Sequence, residues 1–136
     1  MNHVGIRTCL VILLFASGFS YAQDCWMVTN IKGYSAFAQE HYKFSQDGMR
    51  NPMVVCFTSD GGTVSGTDTR LLKFGSSTLA GFVRNDLGNE LFEVYQLDRE
   101  ERKLLYVKSR IAPETPSPTL PNIVAAFVGD AARIAR

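Results

Sequence analysis

Hydrolytic or metal-dependent chemistry needs a nucleophile, a base or ligands at workable spacing, and this sequence offers few of them. His41 is the one histidine beyond residue 22. It could act as the base of a triad with a distant serine and aspartate, because such partners meet only in space. It stands between Glu40 and Tyr42, however, where a surface imidazole is ordinary. A lone histidine excludes a multi-histidine zinc site, and Cys25 and Cys56 are expected to bond to each other, which removes them as thiolate ligands. No metal and no cofactor is expected. Gly62-Thr63-Val64-Ser65-Gly66 carries its serine one place too late for a nucleophile elbow, and no strand-turn-helix pattern follows. Asp60 and Asp68 could approach a cation, but the spacing of a calcium loop is absent and turn aspartates are common.

A richer constellation lies in Glu93, Tyr95, Tyr106, Lys108 and Arg110. Glu93 and Tyr95 fall on one face of a strand with Leu91 and Leu97. Tyr106, Lys108 and Arg110 fall on one face of the next strand with Leu104. A polar-aromatic face of this kind could read the carboxylates or sugars of a partner. Its structural alternative is cross-strand pairing of Glu93 with Lys108 or Arg110, which contributes at most about 1 kcal/mol when exposed. The run from Asp98 to Lys103 has mixed signs and reads as a solvated hairpin end.

These residues sit in the clearest folding signal of the chain, an antiparallel three-strand meander over residues 78–111. Two-residue alternation runs through Leu79–Arg84, Leu91–Leu97 and Lys103–Ile111. Asn85–Asn89 and the charged Asp98–Arg102 supply the turns. Before the meander, Cys25–Val28 reads as a short strand that sends Trp26 into a core, and Gln39–Ser45, which alternates weakly, reads as another strand. Residues 46–52 form a loop by their Asp-Gly and Asn-Pro pairs. Met53–Thr58 reads as a strand buried on both faces, Ser59–Gly62 as a tight turn, and Thr63–Thr67 and Arg70–Phe74 as further strands.

Residues 112–121 hold four of the five prolines and read as an extended strap. Beyond it, Ile123, Val124, Phe127, Val128, Ala131 and Ile134 recur at helical spacing, which predicts a C-terminal α-helix over 122–134.

The first 22 residues look like an export signal: Arg7, then an apolar run over 10–15, then Ser20-Tyr21-Ala22 before the expected cut. The apolar run is too short for a membrane span, for which about 20 residues are needed. Taking 22 from 136 leaves 114 residues, enough for a single domain over 23–136 with its own core. Arg7 is the only charged residue lost, so 13 acidic side chains face an equal number of basic ones. A neutral balance argues against nucleic acid and against stable membrane insertion. A Cys25–Cys56 bond would close a loop of about 32 residues and contribute roughly 3–4 kcal/mol.

The fold class expected is mainly β: a small antiparallel barrel or strongly curved meander sheet of about eight short strands with one C-terminal helix. The order of elements is similar to that of lipocalin-like barrels. No Gly-x-Trp opens the first strand, since Trp26 follows Cys25, so no family is identified. The expected function is a non-enzymatic binding or inhibitor module, periplasmic or secreted, with a protein or glycan partner. The alternative is a barrel carrying an apolar ligand, and the third reading is a hydrolase.

Overall fold

A computed structural model describes residues 23–112 and 120–135. The expected export signal therefore lies outside the described residues, as does most of the proline strap. The described residues form nine strands: β1 (Asp24–Phe37), β2 (Ser45–Met49), β3 (Met53–Phe57), β4 (Gly61–Val64), β5 (Leu71–Phe74), β6 (Thr78–Arg84), β7 (Glu90–Asp98), β8 (Lys103–Ile111) and β9 (Ile123–Arg133). From β3 to β9 each strand pairs antiparallel with the next, and β9 pairs with β1, which pairs with β3. The ring so closed is an antiparallel barrel of eight strands. β2 stands outside it. It lies against Ile31–Ser35, the upper half of β1, on the edge whose lower half, Asp24–Val28, carries β3.

β1 serves both neighbours because it changes register part-way. Thr29 faces Asp130 on β9 while Lys32 faces Val128, so β1 carries one extra residue there. Asn30 takes the left-handed backbone that such a bulge requires, with φ 51°, and its amide donates to Asp130 Oδ2 at 2.9 Å. The insertion resets the alternation, so Val28 and Ile31, three apart, both point inward. Each is buried.

The inward positions at one end of the barrel make the core, with Trp26, Val28, Val55, Phe57, Leu79, Leu97 and Leu104 packed together. Cys25 and Cys56 face each other directly across β1 and β3, with Cα atoms 4.0 Å apart, and are disulfide-bonded.

Several elements differ from the sequence expectation. The first strand, expected to be short over Cys25–Val28, runs on to Phe37, and β4 begins inside the turn expected over Ser59–Gly62 and stops before Thr67. The C-terminal helix over 122–134 is strand β9. Its side chains alternate strictly, with Ile123, Ala125, Phe127 and Ala131 buried and Val124, Ala126 and Val128 exposed. Apolar residues stand on both faces, so the same letters also satisfy helical spacing, and two-sided pairing to β8 and β1 decides between them. The weak strand over 39–45 is a short 3₁₀ turn (Ala38–Glu40) followed by irregular chain. The loop expected over 46–52 instead begins with β2, whose five residues are all exposed. Pairing with β1 holds β2 extended, without any burial that alternation could reveal.

Candidate functional site

All five residues of the polar-aromatic constellation, Glu93, Tyr95, Tyr106, Lys108 and Arg110, lie on the inward side of β7 and β8, in the upper half of the barrel. The register places Glu93 opposite Lys108 and Tyr95 opposite Tyr106. Glu93 is only 4 % exposed, and hydroxyl groups surround its carboxylate. Tyr106 donates to Oε1 at 2.7 Å and Tyr95 at 3.1 Å. Thr67 and Thr69 donate to Oε2 at 2.8 and 3.0 Å. A buried carboxylate so supplied needs no further partner.

Thr67 and Thr69 come from the loop between β4 and β5, which tucks into the barrel over Gly81. Gly81 is the β6 residue opposite Glu93. A side chain there would collide with the Thr69 methyl and the Arg70 carbonyl, at 2.6 Å each, so its absence lets the loop reach the carboxylate. The sequence predicts Thr67 at the end of a strand over 63–67, whereas β4 stops at Val64 and Thr67 belongs to this loop. The missed signal is the Thr-x-Thr spacing, which can point two hydroxyls the same way.

Below the carboxylate the tyrosine rings stack at 4.5 Å between centroids and 3° between planes, and Phe127 from β9 extends the stack at 5.8 Å. Burial raises the pKa of both tyrosine hydroxyls. The neighbouring charge of Glu93 adds to the shift of Tyr95, and the charge of Tyr95 adds to that of Tyr106. Lys108 is pushed the other way by burial and by the charge of Arg110, with Glu93 and Asp47 partly opposing. Arg110 is anchored by two bonds to the Pro121 carbonyl, at 2.9 and 3.1 Å. The structure therefore brings the five residues onto one inner surface, with Glu93 bonded to hydroxyls.

The closed end is capped from the β7–β8 turn, where the sequence predicts a solvated hairpin end. Arg99, in the β7–β8 turn, folds back so that its guanidinium lies 5.6 Å from the Trp26 ring and 5.5 Å from the Phe57 ring. It donates to Asp24 at 2.6 Å and to the Ser76 carbonyl at 3.1 Å. Partial burial works against ionisation of Asp24, but the bond and charge of Arg99, with Trp26 and Arg133, outweigh it and lower its pKa. His41 is exposed beside the 3₁₀ turn. Among the described residues no three His, Cys, Asp or Glu side chains could hold a metal ion.

The outer wall carries exposed apolar side chains. On β1, β9 and β8, Tyr34, Val128, Leu105 and Val107 are each 43–53 % exposed. They line a groove of about 750 Å³ whose polar margin is Lys32, Gln46 and Asp47. The far edge of β2, beside that margin, has no strand partner among the described residues.

No family model, curated protein or solved structure matches the chain.

Proposed function

We propose that this protein is an exported, non-enzymatic binding module that captures an extended segment of another protein on its outer wall. The observation that carries this reading is the edge of β2, without a strand partner among the described residues, beside the apolar groove of β1, β9 and β8. A strand edge offers main-chain hydrogen bonds to an incoming strand, and an adjoining groove selects its side chains. The groove's volume and its apolar floor with a polar margin suit such a segment. The disulfide fits an oxidising compartment, as export would require.

In this reading the polar-aromatic residues hold the wall in shape and do not touch the partner. The stacked rings of Tyr95, Tyr106 and Phe127 fill the middle of the barrel, which favours a protein-binding wall over the alternative of a carrier with an apolar ligand inside.

The test is selection of displayed random peptides on the disulfide-bonded protein, with counter-selection on Val107→Glu. Extended apolar peptides should be enriched and should bind the variant at least about tenfold more weakly. No enrichment, or binding indifferent to Val107→Glu, would overturn the proposal.

A further inference from the structure

A second exposed patch lies elsewhere on the barrel, on β5, β6 and β7. Leu72, Phe74, Phe82 and Phe92 are 49, 56, 59 and 45 % exposed. Phe82 and Phe92 face each other across β6 and β7, and Leu72 faces Ala80 across β5 and β6. Between them is a shallow cleft of about 460 Å³. Three phenyl rings and a leucine at about half exposure present on the order of 400 Å² of apolar surface. A standard interface takes about 800 Å² from each partner, somewhat over half of it apolar. One patch of this size is therefore what one side of a dimer needs, and it falls in the range of about 300–600 Å² of the largest apolar patch on a monomer, which is often functional.

We infer that this β5–β6–β7 patch is a homodimer interface, covered by the same patch of a second copy around a two-fold axis. A two-fold contact must be self-complementary. The patch carries a cleft together with the exposed rings that flank it, so each copy can fill the other. Its margin carries both signs: Arg70 and Arg84 are exposed, and Arg84 lies 3.7 Å from Glu90. Two identical margins can thus meet with opposite charges adjacent. A bilayer is a poorer occupant, because a spanning barrel carries its apolar band around the whole circumference and keeps a polar interior. Here β3 and β4 are five and four residues long. Their outer positions include the disulfide-bonded Cys56 and the exposed Thr63, and the interior at the closed end is apolar.

The experiment is sedimentation equilibrium of the disulfide-bonded protein from about 5 to about 200 µM, with oxidative footprinting of the same samples. The expected mass rises to twice that of the chain, and Leu72, Phe74, Phe82 and Phe92 become protected as it does. Phe82→Glu should weaken association at least about tenfold while keeping the near-ultraviolet circular dichroism of the wild type. The footprint decides the matter if that variant fails to fold. A monomer throughout the range, a dimer in which the four residues stay reactive, or a monomer that floats with phosphatidylglycerol vesicles would each overturn the inference.

Discussion

Glu93 shows how one buried charge sets the demands on its neighbours. The hydroxyl of Tyr106 at 2.7 Å is the shortest of its contacts. Tyr106→Phe removes one hydrogen bond to a charged group and keeps the ring in the stack, so it should cost about 1.5–3 kcal/mol at neutral pH. The alkaline limb supplies a second signature. The folded-state pKa of this tyrosine is raised above that of the unfolded chain, so the native state holds a proton that the unfolded state gives up above about pH 10. Stability is fully present below that pH and falls as pH rises through the raised value, by up to about 1.4 kcal/mol per pH unit for each such group. Tyr106→Phe should therefore be less stable than wild type at pH 7 but lose less above pH 10, so the two curves converge. Urea unfolding at a series of pH values measures both. Parallel curves would show that the Tyr106 proton is not linked to folding. At this scale the sequence was legible in part. The alternation placed Glu93, Tyr95 and Tyr106 on shared faces, but nothing local says that Thr67 and Thr69, 26 and 24 residues away, supply the other hydroxyls.

Among the elements, β9 is where sequence and structure part. Gly129 makes the two readings give opposite signs. In a helix, Gly129→Ala would stabilise by about 1 kcal/mol. In the strand, Gly129 points into the barrel, where a Cβ would meet Val28 Cγ1 at 2.5 Å and Ile31 Cγ1 at 3.0 Å. Both are buried core side chains with little room to withdraw, so Gly129→Ala should destabilise by about 1–3 kcal/mol. A chemical denaturation midpoint that falls, with unchanged slope, agrees with the strand, and a midpoint that rises would contradict it. The meander was readable because each of its strands has one buried and one exposed face. β9 was not, because Val124, Ala126 and Val128 on its outer face are as apolar as the residues opposite them. β2 was hidden for the converse reason, since nothing in it is buried.

For the whole molecule, closure rests on β1, the only strand among the described residues that pairs with three others. Its ladder with β9 joins the two ends of the chain and so carries the largest loop-closure cost. The Cys25–Cys56 bond fixes the opposite edge of β1 against β3 and spans 31 positions. With that edge held in the unfolded chain, only the β9 side remains to be found. The bond should therefore contribute to the barrel as a unit. Cys25→Ala together with Cys56→Ala should cost about 2–4 kcal/mol, which for a domain of this size lowers Tm by on the order of 10 °C. Hydrogen exchange then asks where the loss falls. If the ring is one cooperative unit, protection should drop by the same free energy in β1, β7, β8 and β9, while the β2 amides, held on one edge only, exchange faster in both forms. Loss confined to β1 and β3 would show instead that the disulfide staples a local hairpin, and that the β7–β8–β9 wall stands without it.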